Sequence, residues 1–270
     1  MENIWWNVGG GIKHFKELDK FNEDCKIFYD TKHNFFNAVY DSIFGMKWNG
    51  GRVCNPKDFV SLAEWIKIIE RYNEQNIGFN FSFSNVLLTE EDLSDEYCNL
   101  MLQVGNNKKI NGVILTSDLL AEYIRNNYPN LKIIYSVCNG LNNLEDYNKA
   151  TNNNLYDIVV LHPDFNHDFN FLSNLENKNK IEIMVNDNCA YGCPYRAEHY
   201  KWLSQCAKQQ ATNPIIHYEN ELDRDIKPCY AVLNGYIKDG RNRVSFYDLD
   251  NYINMGFQRF KLIGREFSWE

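Results

Sequence analysis

The sequence predicts an α/β fold, a parallel (β/α)8 barrel of the TIM type, and three observations support it. Eight strand-like apolar runs recur along the chain, centred near residues 26, 43, 78, 113, 132, 158, 182 and 259. Most of them precede a segment with helical periodicity, and strands that alternate strictly with helices are typical of parallel sheets. The length of 270 residues is close to the roughly 250 residues of such barrels. An irregular or incompletely closed barrel fits the same pattern, and an open doubly wound sheet is the alternative.

The first elements are predicted from short local patterns. Residues 1–23 are predicted to be an N-terminal lead-in, followed by a strand over 25–29. A helix over 34–40 and a second strand over 42–45 come next. Pro56 then opens a helix, because a residue without a backbone N–H is tolerated in a first helical turn.

The rest of the chain continues the alternation. Thr89 offers a capping hydroxyl ahead of three acidic residues, and Ser117 caps a helix over 118–127. The remaining strands are predicted over 77–83, 112–115, 131–136, 157–161, 181–186 and 257–263. Residues 210–245 read as an irregular insertion before the last helix and strand. No Pro-, Gly- or Ser-rich linker divides the chain, so residues 1–270 are predicted to form a single barrel domain.

Composition narrows the functional classes. The net charge of −8 gives no electrostatic basis for a general nucleic-acid-binding surface. No stretch approaches the ~18 consecutive apolar residues of a transmembrane helix, and the N-terminus lacks the pattern of a signal peptide. We therefore expect no membrane span and a cytoplasmic location. In a reducing compartment, the eight cysteines are expected to be reduced or metal-bound rather than paired in disulfides.

The cysteines are distributed unevenly over the predicted barrel. Functional groups of such barrels lie at the carboxyl ends of the strands. Five cysteines follow predicted strands and are expected at that end: Cys54, Cys138, Cys189, Cys193 and Cys229. Cys25 begins a predicted strand and should lie at the opposite end. Cys98 and Cys206 fall within predicted helices, where a cysteine usually behaves as a small buried apolar residue.

Cys189 and Cys193 form a C-x3-C pair between a predicted strand and the helix that Pro194 opens. The N-terminal end of a helix favours the thiolate form of a nearby cysteine. Iron–sulfur clusters are commonly held by four cysteine thiolates, and this end of the barrel offers enough of them. Zinc is the competing metal, although zinc sites usually show two close pairs and only one exists here. Ordinary loop thiols are a further alternative.

Three stretches of the sequence resemble a known family. The run Glu182 to Tyr200, which contains the cysteine pair, is similar to a motif of barrel proteins related to the collagenase-like peptidase family U-32. Residues 252–265 resemble the closing strand of that family. Phe44 to Cys54, followed by Asp58 and Trp65, is similar to an early region of members that take part in ubiquinone biosynthesis. The resemblance covers roughly residues 25–265.

The resemblance implies a cofactor. Several members of the family carry a 4Fe–4S cluster held by four cysteines and assist oxygen-independent hydroxylation of RNA bases or quinone precursors; others are described as peptidases. Carried over to this sequence, Cys189, Cys193, Cys229 and Cys54 would be the ligands. The ubiquinone-type pattern has another cysteine about a dozen positions before the close pair, where this chain has Glu176. Cys138 is therefore an alternative fourth ligand, and a cluster with three protein thiolates is another.

Four residues are candidates for contacting a substrate. Asn186 and Arg265 lie near the ends of predicted strands. Arg196 and His199 lie one turn apart on the helix after Cys193, where they could bind an anionic substrate or hydrogen-bond to a cluster. A structural role is the alternative for His199. Glu182 and Lys261 are predicted to pair across neighbouring strands if both point into the barrel, and such a pair fixes the register or takes part in catalysis.

The sequence thus predicts an iron–sulfur barrel enzyme of the oxidoreductase or oxygen-independent hydroxylase type. Its substrate would be a small molecule, a peptide or an RNA base, with a redox or protein partner. The alternatives are a U-32-like peptidase or hydrolase, and a binding protein with a structural zinc. No serine lies in a nucleophile elbow and no HExxH motif is present, so the sequence points to no hydrolytic nucleophile.

Overall fold

Eight parallel strands form a closed barrel in which each strand pairs with the strands before and after it in sequence. The structure, a computed structural model, describes residues 4–51, 59–212 and 234–264. Strands β1 to β8 are Trp5–Gly9, Ala38–Asp41, Gly78–Phe83, Gly112–Leu115, Lys132–Tyr135, Ile158–Val160, Ile181–Met184 and Arg259–Leu262. Helices α1 to α8 are Phe15–Phe28, Leu62–Glu74, Glu96–Gly105, Asp118–Asn127, Leu144–Asn152, Phe169–Asn174, Arg196–Thr212 and Leu249–Asn254.

Closure of the barrel depends on β1. In the ladders, Asn7 lies opposite Ala38 of β2 on one side and Lys261 of β8 on the other. Both ladders are parallel, as are the other six. The predicted (β/α)8 barrel is confirmed, and the alternatives of an open doubly wound sheet and of an incompletely closed barrel are excluded.

The predictions for the N-terminal region are wrong. The predicted lead-in over 1–23 contains strand β1, and the predicted strand over 25–29 is the end of helix α1 and the turn after it. The apolar run at this point was misleading because Ile27 and Phe28 are 78% and 81% exposed. An apolar cluster at the end of an amphipathic helix therefore resembled a buried strand.

The next two predicted elements do not match the observed ones. The helix predicted over 34–40 and the strand predicted over 42–45 are replaced by strand β2, which ends at Asp41. Asp41 is the last residue of this strand, and its carboxylate accepts the backbone N–H groups of Ile12 and Lys13. The predicted total of eight strands was nevertheless correct, because the false strand over 25–29 was counted and β1 was not.

From β3 onward, strands and helices alternate as predicted. The side chain of Ser117 accepts the backbone N–H of Leu120 and caps α4. Thr89 begins a single 3-10 turn over Glu90–Ser94, and α3 starts separately after Asp95, whose side chain caps it. The start predicted at Pro56 lies outside the described residues, and α2 is capped by Ser61.

The insertion predicted over 210–245 is described only in part. Its first residues complete the last turn of α7, and residues 213–233 lie outside the described ranges. Residues 234–245 contain neither a helix nor a strand. Within the described ranges, no helix combines the length and the apolar character needed to cross a membrane.

The two faces of the sheet differ in polarity. Along β3, Phe79, Phe81 and Phe83 point outward and are buried under the helices, whereas Asn80 and Ser82 point into the barrel. Alternation of side chains across a strand explains this division. The larger apolar core therefore lies between sheet and helices. The inside of the barrel combines polar side chains with a smaller apolar cluster that includes Ile114, Ile134 and Met184.

Candidate functional site

The loop from β7 to α7 carries the cysteine pair, and hydrogen bonds to Arg196 and Asp164 hold its backbone in place. The guanidinium of Arg196, the first residue of α7, donates to the carbonyl of Ala190 at 3.3 Å. The carboxylate of Asp164, which follows β6, accepts the backbone N–H of Gly192 at 3.0 Å. Gly192 has a φ of +63°, which favours glycine. Cys189 and Cys193 therefore flank a loop of defined shape.

Arg196 is the charged centre of this arrangement. Its side chain is 8% exposed and lies 3.5 Å from Asp164 Oδ1 and 3.6 Å from Asp187 Oδ2. Burial opposes its ionisation, but the neighbouring acidic groups of Tyr200, Cys189, Asp187 and Asp164, which would each carry negative charge when ionised, outweigh burial and raise the pKa of Arg196. The guanidinium therefore stays charged. Buried charges need such partners, because an unpaired charge inside a protein is costly.

A pocket of about 570 Å³ opens beside this loop, at the carboxyl ends of the strands. Its walls come from the segments that follow β4, β5 and β6 and from the first turns of α7. The polar and titratable groups among the lining residues are Thr116, Ser117, Cys138, Asn139, Asn142, His162, Asp164, Cys193, Arg196, Tyr200 and Lys201. This is the end of the barrel at which functional groups are expected.

Cys138, Cys189 and Cys193 all lie at this pocket or next to it. Cys138 and Cys193 line it. The hydroxyl of Tyr200 is buried, and burial, followed by the nearby thiol of Cys138 and also that of Cys189, raises the pKa of Tyr200 well above its usual value. The hydroxyl of Tyr200 therefore stays protonated, with thiols around it.

Two predicted ligands, Cys54 and Cys229, lie outside the described residues. Within the described ranges, no group of three or more His, Cys, Asp or Glu residues is arranged to hold a metal ion. The described residues therefore supply at most part of the ligand set of a four-cysteine cluster.

The four predicted substrate-contacting residues do not lie together at one site. Arg196 lines the pocket. His199 is exposed on α7, with its ring centroid 6.1 Å from that of Trp202. The amide of Asn186 donates to the carbonyl of Ile263 and accepts its N–H, both at 2.7 Å. Arg265 lies outside the described residues.

Asn186, a predicted substrate contact, lines a separate apolar groove and not the pocket beside α7. The regular strand ends at Met184, so the alternation of side chains does not extend to Asn186. The predicted pair of Glu182 and Lys261 is confirmed, with 3.6 Å between the carboxylate and the ammonium inside the barrel. Asn7 donates a further hydrogen bond to Glu182 at 3.1 Å.

His162 and Asp164 line the pocket but are not among the four candidate residues named from the sequence. Their position directly after β6 was the available signal. The ring nitrogen Nδ1 of His162 accepts the backbone N–H of Asp164 at 3.3 Å. The backbone N–H of His162 donates to the hydroxyl of Tyr147 at 2.8 Å. Burial, and then the charge of Arg196, lower the pKa of His162 to about 4. The imidazole is therefore neutral at physiological pH.

The lowered pKa of His162 makes the stability of the folded protein depend on pH between about 4 and 6.5. The imidazole of the unfolded chain titrates near 6.5 and that of the folded chain near 4. Between these values the unfolded state binds more protons, so the stability contributed by neutral His162 is lost as the pH falls. We expect the free energy of unfolding in urea to fall more steeply in this window for the natural chain than for His162→Gln. Equal slopes would show that burial does not hold this ring neutral.

Fold and site together define a (β/α)8 barrel with a thiol-bearing polar pocket at the carboxyl ends of its strands. No family model and no curated protein matches the sequence. Among solved structures, the U32 peptidase Mk0906 matches with a TM-score of 0.60 and 13% sequence identity, over 99% of this chain and 94% of that chain. The chain therefore has the barrel fold of a U32 peptidase.

Proposed function

We propose that this protein is an iron–sulfur barrel enzyme of the oxidoreductase or oxygen-independent hydroxylase type, with its substrate in the pocket beside α7. The observation that carries the proposal is the clustering of thiols at one end of the barrel. Cys138, Cys189 and Cys193 come from the segments after β5 and β7. Cys138 and Cys189 lie near Tyr200, Cys189 lies near Arg196, and Cys138 and Cys193 line the pocket together with both residues. Cys189 and Cys193 would supply two ligands, and Cys229 and Cys54 the others.

The surrounding residues fit such a role. A cluster held by cysteines would supply electron transfer to the site. Arg196 would offset part of the negative charge of the thiolates, since its pKa already responds to Cys189. Tyr200 holds a protonated hydroxyl next to the thiols, and His162 offers a neutral imidazole on the pocket wall. Lys201 adds an exposed ammonium at the edge of the pocket, where an anionic part of the substrate would bind.

Anaerobic purification followed by iron, sulfide and zinc analysis tests the proposal. We expect a brown protein with about four iron and four sulfide ions per chain. Cys189→Ala and Cys193→Ala should lose most of the iron. Cys25→Ala is the matched control, because Cys25 lies on α1 and away from the pocket, and it should keep its iron. A colourless protein with one tightly bound zinc, or with no metal, contradicts the proposal.

The same measurement identifies the fourth ligand. Cys54→Ala should lose iron, whereas Cys138→Ala should retain it. The opposite pattern would assign the ligand to Cys138, whose sulfur lies next to Gly51. Retention of iron by both variants would indicate a cluster with three protein thiolates.

A hydrolase of the U32 peptidase type is the second candidate, and one observation favours it. The matched structure carries that name and its fold extends over 99% of this chain. Cys138, Cys193 and neutral His162 all line the pocket. A thiol and an imidazole are the groups that a cysteine nucleophile and its general base require. Release of new amino termini from a peptide mixture by metal-free protein, abolished in Cys138→Ala or Cys193→Ala, would support this candidate. Absence of cleavage would exclude it for those peptides.

A further inference from the structure

A small cavity of about 90 Å³ lies inside the barrel at its amino end, away from the pocket beside α7. Its lining includes the first residues of three strands, which are Trp5 of β1, Lys132 of β5 and Arg259 of β8. Trp5 and Arg259 are neighbours in the ladder between β1 and β8, whereas β5 lies on the far side of the ring of strands. Side chains from opposite walls of the barrel therefore meet at this cavity.

Two cations lie over one indole ring at the cavity. The Nζ atom of Lys132 is 5.3 Å from the centroid of the Trp5 ring, and the Cζ atom of Arg259 is 5.2 Å from it. Lys132 and Arg259 are called the basic pair below. Burial, and then the charge of Arg259, lower the pKa of Lys132, and burial lowers the pKa of Arg259. Partly buried like charges disfavour each other, and a nearby negative charge relieves this cost.

The carboxylates near the basic pair have cation partners of their own. Glu182 lines the cavity, but its carboxylate lies 3.6 Å from the ammonium of Lys261. The carboxylate of Asp157 lies 2.6 Å from the guanidinium of Arg125. Among the described residues, no carboxylate forms an ion pair with either member of the basic pair. The basic pair therefore leaves an excess of positive charge at the amino end of the barrel.

The donors at the cavity suit the oxygen atoms of a small anion. Nε of Arg259 donates to the carbonyl of Asn179 at 2.8 Å, which leaves the two terminal nitrogens of the guanidinium. A guanidinium binds carboxylate or phosphate oxygens through two N–H groups, and an ammonium binds them as a point charge. The cavity has the volume of about three water molecules, at ~30 Å³ each, so only a small ion fits. Trp5 is 40% exposed, so the site is close to solvent.

We propose that the basic pair binds a small oxyanion, of the size of inorganic phosphate, in the cavity at the amino end of the barrel. The anion would link β5 to β8 across the barrel and offset the repulsion within the basic pair. The amino end of such barrels contributes stability and the carboxyl end contributes chemistry, so the bound anion would stabilise the fold. The proposal stands whether or not the pocket beside α7 holds a cluster.

Thermal unfolding in increasing inorganic phosphate, at constant ionic strength, gives the first test. Phosphate at about ten times its dissociation constant should raise the Tm of the natural chain by about 3–6 °C. Lys132→Met and Arg259→Met should lose this response, and both should fold because each removes one of two like charges. Lys109→Met is the matched control, since Lys109 is exposed next to Ile110 of the cavity wall. Its response should equal that of the natural chain.

Two outcomes of this titration would overturn the proposal. One is an unchanged Tm of the natural chain, or an equal rise in all four proteins, because phosphate also stabilises proteins by exclusion from their surface. The other is a response that is lost in Lys201→Met and kept in Lys132→Met. That result would assign the phosphate to the pocket beside α7, where Lys201 lies.

Calorimetric titration with inorganic phosphate gives the second test and asks whether the anion is external. Glu2 precedes β1 in sequence and lies outside the described residues. Glu2→Gln should bind phosphate with the same dissociation constant as the natural chain. Binding that is tighter by about tenfold or more in Glu2→Gln, a difference of about 1.4 kcal/mol, would identify a carboxylate of the chain itself as the occupant. That result, or no binding by the natural chain, would overturn the proposal.

Discussion

Arg196→Met is expected to destabilise the folded protein by about 3–5 kcal/mol, because it leaves two buried carboxylates without their counter-ion. Asp164 and Asp187 both lie within 3.6 Å of this guanidinium and are themselves about 80% to 90% buried. The carbonyl of Ala190 would also lose its donor, so the loop between Cys189 and Cys193 would lose one of its two attachments. Urea unfolding measures the stability, and iron content after anaerobic purification measures the effect on the thiols.

Lys201→Met is the control for Arg196→Met. Lys201 lies on the same helix and pairs with Glu198 at 2.8 Å, but both side chains are more than half exposed. Exposed pairs of this kind contribute little, so its effect should stay below about 1 kcal/mol. If Arg196→Met were equally mild, Arg196 would not be the residue that holds the loop. Adding Asp164→Asn to Arg196→Met should recover part of the loss, because one unpaired charge is removed.

Phe81→Ala is expected to cost about 3–5 kcal/mol, the range for removing a buried aromatic side chain. Phe81 is 1% exposed and its ring lies 5.1 Å from that of Phe79 and 5.9 Å from that of Phe83. The helix above it has Gly105 at the contact, where a Cβ would lie only 2.5 Å from the Phe81 ring. Helix and strand approach closely here, so the vacated space has few side chains available to fill it.

Phe28→Ala is the matched control for Phe81→Ala, since it makes the same chemical change at a position that is 81% exposed. Its effect on urea unfolding should stay within about 0.5 kcal/mol. If Phe81→Ala cost no more than Phe28→Ala, the sheet and α3 would not be packed as closely as the structure indicates. A fall in Tm of roughly 10 °C for Phe81→Ala is the corresponding thermal result.

The fold could be predicted from the sequence where the apolar pattern of a segment agrees with its burial in the structure. Strands β3 to β8 are short apolar runs buried on at least one face, and their helices have side-chain caps such as Ser117. The N-terminal region failed because the two signals conflict there. Strand β1 carries Asn7 inside the barrel and an exposed Trp5, so it lacks an apolar run, whereas the apolar end of α1 faces solvent.

For the site, the sequence predicted the location of some residues but not the contacts between them. The rule that functional groups follow parallel strands correctly placed Cys138 and Cys193 at one pocket. It could not show that Arg196 is clamped between Asp164 and Asp187, because those contacts join residues from three separate segments. The same rule favoured Asn186 as a ligand contact. Met184 is the last residue of β7 that pairs with β8, and the alternation of side chains along the strand stops there, before Asn186.

Closure of the barrel through β1 and β8 has a consequence for biosynthesis. Strand β8, which pairs with β1, leaves the ribosome after the other seven strands of the barrel. Until then β1 and β7 each present an unpaired edge, and such edges favour association with other chains. Pairing between the ends of a chain also slows folding, because a long loop must close first. Slower synthesis at low temperature should therefore increase the soluble yield, by giving each nascent chain time to find its own eighth strand before it meets a neighbour.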